Sequence, residues 1–187
     1  MSALAQILCQ RGWQVSGSDR SYDRGEAQEK FTTLQAAGIV LYPQDGTGVT
    51  EDLEMVIYST AVEDSIPDIK AAKDLNLTLK HRAELLAELF HQAPKAIAIA
   101  GTSGKSTVTA MTGCIFDAAG RDPAIVNGGC MINFEGVGRL GNVIDGQGPF
   151  IAETDESDGS ITRFSPAVSV INNVTVDHKP LPELREL

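Results

Sequence analysis

The stretch that most restricts the fold is AIAIAGTSGKSTVTAM, which runs from Ala96 to Met111. Five apolar residues lead into a turn that contains two glycines, and the segment after the turn has apolar residues at helical spacing up to Gly120. A strand that enters a helix through so short a turn is typical of a βα unit. Because βα units in series form a parallel sheet, we predict an α/β protein.

The same alternation of strand and helix patterns extends along the rest of the chain. Apolar runs predict strands at 13–19, 39–42, 55–60, 77–80, 149–154 and 166–174. Helical spacing predicts helices at 1–12, 26–37, 66–76 and 81–92. Pro94 interrupts the pattern, so we place a domain boundary there. Residues 1–93 are predicted to form a Rossmann-like domain, and residues 94–187 a phosphate-loop domain, each around a parallel sheet.

The composition excludes several classes of protein. The net charge of −10 argues against nucleic-acid binding, which needs a basic face. No apolar run approaches the roughly 20 residues of a membrane span, and the N-terminus lacks the pattern of a secretory signal. Three cysteines without C-x-x-C spacing are typical of reduced thiols. We therefore expect a cytoplasmic protein that binds neither nucleic acid nor a membrane.

The turn after the central strand has the residue types of a phosphate-binding loop. Gly101 and Gly104 allow the backbone to curl so that its N–H groups meet phosphate oxygens. Lys105 can reach the β- and γ-phosphates, and the hydroxyl of Ser106 or Thr107 can bind Mg²⁺. The loop is shorter than G-x-x-x-x-G-K-[ST], but the strand before it and the helix after it favour a nucleotide site.

Two other predicted strands end in chemically active side chains. An acidic cluster follows the strand at 149–154 and consists of Glu153, Asp155, Glu156 and Asp158. The strand at 166–174 is followed by Asp177 and His178. Because ligands of open α/β sheets bind at the carboxyl ends of the strands, these groups are expected to gather near the phosphate loop. Carboxylates there would bind Mg²⁺, and a histidine could bind a second metal or orient a phosphate.

Together these motifs resemble those of the Mur ligase family, the ATP-dependent amide-forming enzymes of peptidoglycan synthesis. GTSGKST resembles the family's short loop G-T-x-G-K-[ST]-[ST], and NNVTVDH resembles its N-x-x-x-D-H motif. ETDESDGS resembles a stretch of the branch that acts on UDP-N-acetylmuramate. The segments MSALAQIL, VSGSD, IYSTAV and HRAELLAEL follow in that branch's order. Ser103 stands where the family more often has histidine or asparagine.

The resemblance implies a reaction and a set of residue roles. ATP would phosphorylate the carboxylate of a UDP-N-acetylmuramate-type substrate, an amino acid such as L-alanine would attack, and phosphate would leave. The implied catalytic residues are Lys105, Glu153 and His178, and the implied Mg²⁺ ligands are Ser106, Glu153 and His178. The implied nucleotide-binding residues are Gly101, Thr102, Ser103, Gly104, Lys105, Ser106 and Thr107. The implied substrate-binding residues are Ser18, Asp19, Ser59 and Asn127.

The resemblance also bears on how much of the protein this chain represents. Family members have a strand and a glycine-rich loop before the segment that matches Met1 onward, and a further domain after the segment that matches His178. We therefore expect the chain to be a fragment without ligase turnover of its own. A small phosphate-loop kinase or NTPase, and a non-catalytic domain that only holds nucleotide, are the two alternative functions.

Overall fold

The computed structural model describes residues 1–60, 62–155 and 159–175. These residues form two compact units. The first takes in Met1–Leu85 and Gly136–Leu140, and the second takes in Leu86–Glu135 and the described residues from Gly141 onward. Most strand pairs are parallel, which confirms the predicted α/β class. No helix in the described ranges has the length and apolar character that crossing a membrane requires.

The first unit contains two small parallel sheets flanked by helices. The helices are α1 (Ser2–Gln10), α2 (Arg20–Asp23), α3 (Gln28–Ala36), α4 (Pro67–Asp74) and the start of α5 (Arg82–Gln92). The sheets pair β1 (Ser16–Ser18) with β2 (Val40–Tyr42), and β3 (Met55–Tyr58) with β4 (Thr78–His81). The sequence predicts a fully buried strand over 55–60, but β3 ends at Tyr58 and is only half-buried. A sheet of two strands leaves both strands at an edge, which accounts for the exposure.

A short segment from later in the chain completes the core of the first unit. This segment is a hairpin formed by β7 (Glu135–Gly136) and β8 (Arg139–Leu140). Leu140 packs against the buried cluster of Phe31, Leu34 and Ile39. The backbone N–H of Leu140 donates to the side-chain oxygen of the buried Gln6 at 3.0 Å. Residues far apart in sequence are thus joined within one unit.

The second unit contains a five-stranded sheet in the order β11–β5–β10–β6–β9. The strands are β5 (Ala96–Ala100), β6 (Ala124–Val126), β9 (Val143–Ile144), β10 (Phe150–Glu153) and β11 (Val168–Ile171). Only β9 pairs antiparallel, so the other four strands bring their carboxyl ends to one edge. The sequence analysis missed β6, because three apolar residues between Pro123 and Asn127 are too few to form a recognisable pattern.

The helix that follows the glycine turn is packed tightly on this sheet. It is α6 (Lys105–Ala118), and Val108 and Phe116 on one face contact the isoleucines of β5 and β10. Gly113 lies directly over Ile125 of β6, so the backbone of α6 approaches the sheet closely. This packing fixes where the first turn of α6 points.

Candidate functional site

The glycine turn lies between β5 and α6, at the carboxyl edge of the five-stranded sheet. Gly101 has a φ of 137° and Gly104 a φ of 79°, a region of backbone space that favours glycine. A Cβ atom on Gly104 would also lie 2.7 Å from the side-chain nitrogen of Asn172. Both glycines are therefore required by the backbone and, at Gly104, by a neighbouring side chain as well.

Two adjacent asparagines after β11 hold the turn in place. Asn172 and Asn173 each donate a side-chain N–H to the carbonyl of Ser103 at 2.8 Å. The backbone N–H of Ser103 donates to Oδ1 of Asn173 at 3.0 Å, and that of Thr102 to the Asn173 carbonyl at 3.1 Å. Sequence reasoning missed this role, although two amides directly after an apolar strand are a detectable signal.

The start of α6 provides the positive charge and the N–H donors beside the turn. The ammonium of Lys105 donates to the carbonyl of Gly101 at 2.8 Å, which keeps its charge beside the turn. The first N–H groups of an α-helix have no acceptor within the helix, and they carry the positive end of its dipole. Thr107 lies in the same first turn and is exposed. This end of α6 can therefore attract an anion.

A serine and a glutamate form the oxygen-rich part of the site. Glu153 ends β10, between β5 and β6, and its Oε2 accepts a hydrogen bond from Ser106 Oγ at 2.8 Å. The backbone N–H of Gly128, just after β6, donates to the same oxygen at 2.9 Å. A hydroxyl and a carboxylate are suitable ligands for Mg²⁺, which usually takes one or two protein oxygens and completes its shell with water and phosphate. The described residues include no cluster of three or more His, Cys, Asp or Glu side chains suited to a metal.

Asn127, predicted to face the substrate, lies at the end of β6 beside this oxygen pair. Its side chain is 4% exposed, and Nδ2 donates to the carbonyl of Gly129 at 3.0 Å. Its Oδ1 is buried without a hydrogen-bond partner among the described residues. A buried amide oxygen of this kind normally has a donor, so Asn127 has an unsatisfied acceptor.

The predicted substrate residues of the first unit lie at or just beyond strand ends and have structural partners. Ser18 donates its hydroxyl to the carboxylate of Asp68. Asp19 caps α2 and contacts the ammonium of Lys30 at 3.4 Å. The carbonyl of Ser59 accepts a turn hydrogen bond. The side chains of Ser18 and Asp19 and the backbone of Ser59 therefore help to shape the loops after their strands, whatever they bind.

His178, the predicted catalytic residue and metal ligand, lies outside the described residues, together with Asp177, Glu156 and Asp158. The structure thus brings together the glycine turn, Lys105, Ser106 and Glu153, and it adds Gly128 and the two asparagines to them.

Comparison with known proteins identifies the family. The Mur ligase family, catalytic domain, matches residues 1–93. The UDP-N-acetylmuramate–L-alanine ligase of Synechococcus sp. (strain JA-3-3Ab) is 43% identical over 181 residues, which cover 95% of this chain. The chain belongs to the Mur ligase family. It spans 33% of the length of that Mur ligase and 37% of the UDP-N-acetylmuramate–L-alanine ligase of Nitratidesulfovibrio vulgaris (strain DP4), to which it is 40% identical.

Solved structures of Mur ligases have the same fold. The UDP-N-acetylmuramate-alanine ligase of Thermotoga maritima superimposes with a TM-score of 0.88 at 30% identity, over the whole of this chain and 43% of that one. The UDP-N-acetylmuramate:L-alanyl-gamma-D-glutamyl-meso-diaminopimelate ligase of Neisseria meningitides superimposes with a TM-score of 0.84. The match covers the whole of this chain and 62% of the Neisseria chain. At 24% identity, the second comparison concerns the fold alone.

Proposed function

We propose that this chain is the nucleotide-binding and substrate-binding part of an ATP-dependent ligase that joins L-alanine, or a peptide, to UDP-N-acetylmuramate. The observation that carries the proposal is the pair formed by Ser106 and Glu153 beside a glycine turn and a lysine. The names of the relatives that match 95% of the chain support the choice of substrate and amino acid.

In the proposed reaction, the residues around the turn bind and offset the charge of MgATP. The first turn of α6 and Lys105 contact the phosphates, while Ser106 and Glu153 provide oxygens to Mg²⁺, which offsets phosphate charge when bound. Asn127 would orient the acid substrate at the same sheet edge. His178 keeps its proposed role as a further metal ligand.

We assign residues 1–93 to the UDP-substrate domain and residues 94–187 to the nucleotide domain. Ser18, Asp19 and Ser59 would contact the UDP group from strand ends of the first domain. The cysteines Cys9, Cys114 and Cys130 are free thiols, which supports a cytoplasmic location.

Nucleotide binding by this chain tests the proposal directly. Calorimetry with MgADP and with MgATP should detect binding to the wild type and a loss of about 10- to 100-fold in Lys105→Ala, because a hydrogen bond to a charged group contributes about 1.5–3 kcal/mol. The acid substrate and L-alanine are left out, so that binding is measured without turnover.

Lys95→Ala is the matched control. Lys95 is exposed and lies just before β5, at the opposite end of the strand from the turn, so the variant loses the same charge away from the site. Its affinity should equal that of the wild type. Equal affinities for Lys105→Ala and the wild type, or equal losses in both lysine variants, would refute the phosphate-loop assignment.

A further inference from the structure

We infer that Gly128 is a positioning residue for Glu153. Because it has no side chain, it leaves room for the Glu153 carboxylate, and its backbone N–H orients that carboxylate to bind Mg²⁺. The inference rests on the proposed function of the site. It concerns a residue that would act on the metal only through Glu153.

The hydrogen bond from Gly128 comes from the backbone and does not depend on how Ser106 binds a cation. Oε2 of Glu153 accepts from Ser106 Oγ at 2.8 Å and from the Gly128 N–H at 2.9 Å. A serine hydroxyl has one O–H donor and two lone pairs, so Ser106 can bind a cation through its oxygen and still donate to the carboxylate. The backbone N–H of Gly128 cannot bind a cation, so its only role is to orient the carboxylate.

The space above Gly128 is filled by the same carboxylate. A Cβ atom at this position would lie 2.8 Å from Oε2, 3.1 Å from Oε1 and 3.2 Å from the carboxyl carbon of Glu153. Such distances are too short for a carbon next to a carboxylate, so any side chain at 128 must push Glu153 away. The backbone itself would accept alanine, because the φ of Gly128 is not in the left-handed region.

The neighbouring glycine provides a matched control. A Cβ atom on Gly129 would have Cβ of Ser106 at 3.8 Å as its nearest neighbour, which is an ordinary van der Waals contact. Its φ is also outside the left-handed region. Gly129→Ala therefore makes the same chemical change one residue further on, without disturbing the carboxylate.

The experiment measures ADP affinity by calorimetry across a series of Mg²⁺ concentrations and in EDTA. In Gly128→Ala, the Mg²⁺ concentration at which ADP affinity reaches half of its full enhancement should rise about tenfold. This is the low end of the loss expected when a group that orients a metal ligand is removed. Affinity in EDTA should stay within about twofold of the wild type, and Gly129→Ala should match the wild type under both conditions.

A double variant separates the positioning of Glu153 from a general effect of Gly128→Ala on the fold. Glu153→Asp shortens the side chain by one methylene and withdraws it from position 128, so adding Gly128→Ala to it should cause little further loss. Thermal unfolding of every variant shows whether it is folded.

Three results would overturn the inference alone: a normal Mg²⁺ requirement in Gly128→Ala, an equal loss in Gly129→Ala, or full additivity with Glu153→Asp. A wild type whose ADP affinity ignores Mg²⁺ would instead overturn the proposed function, and the inference with it.

Discussion

Replacement of Gly113 by alanine should destabilise the protein, although alanine is the better helix former. Gly113 is buried in the middle of α6, where glycine ordinarily costs about 0.8–1.0 kcal/mol relative to alanine. However, a Cβ atom there would overlap Cδ1 of Ile125 and lie 3.2 Å from its Cγ1. Ile125 is fully buried in β6, so its side chain cannot move aside into solvent.

The two effects have opposite signs, and their sizes decide the outcome. Extra carbon in a well-packed core costs about 1–3 kcal/mol, and the overlap with an immobile side chain places Gly113→Ala in the upper part of that range. After the gain in helix propensity is subtracted, the free energy of unfolding should fall by about 1–2 kcal/mol. Ile125→Val removes the overlapping carbon, and alone it should cost about 0.5–1.5 kcal/mol.

Urea unfolding followed by far-UV circular dichroism would measure both single variants and the double variant. In the double variant the new methyl group takes the place of Cδ1 and the helix propensity is regained, so its stability should return to within about 0.5 kcal/mol of the wild type. A Gly113→Ala variant more stable than the wild type, or a double variant with additive losses, would show that α6 can shift away from β6 at little cost.

Two further outcomes are expected. Thr109 on α6 is fully buried, and its hydroxyl has no hydrogen-bond partner among the described residues. Thr109→Val should therefore raise the free energy of unfolding by about 1 kcal/mol. A lower urea midpoint for the variant would contradict this. Two hydrogen bonds from Thr47 lower the pKa of Asp45, the larger effect coming from the hydroxyl and the smaller from the backbone N–H. Because the pKa is lowered in the folded state, these hydrogen bonds stabilise the protein at neutral pH, and this stabilisation is lost as pH falls through the lowered pKa. An NMR titration of Thr47→Val should show the Asp45 pKa moved upward, and an unchanged value would exclude the hydroxyl as the cause.

Local sequence patterns were sufficient to predict the elements that carry the loop. The apolar run of β5, the two glycines and the spacing of α6 are properties of consecutive residues, and the structure has the strand at Ala96–Ala100 and the helix from Lys105. The position of Glu153 also followed from a local pattern, because it ends an apolar strand. Its contact with Ser106 required only that the two strands be neighbours, as β5 and β10 are.

The parts that sequence reasoning missed depend on contacts between distant residues. Asn173 and Ser103 are 70 residues apart, and Gly128 and Glu153 are 25 residues apart. Neither pair has a pattern that specifies its partner, and β6, which delivers Gly128, is too short to recognise. At Gly128, the Glu153 carboxylate occupies the space that a side chain would need, and such a role can be found only from the packing.

The part of the hairpin that belongs to the first unit, Gly136–Leu140, has a consequence for genetic dissection of this protein. A cut in the polypeptide near residue 93 looks natural from the order of helices and strands, yet it would leave the first unit without Leu140. Gln6 would then lose the N–H that its buried oxygen accepts, and the cluster around Phe31 would gain a solvent-exposed side. An excised first unit therefore needs the five residues Gly136–Leu140 grafted onto it, because the boundary of the folded unit is not a single point along the chain.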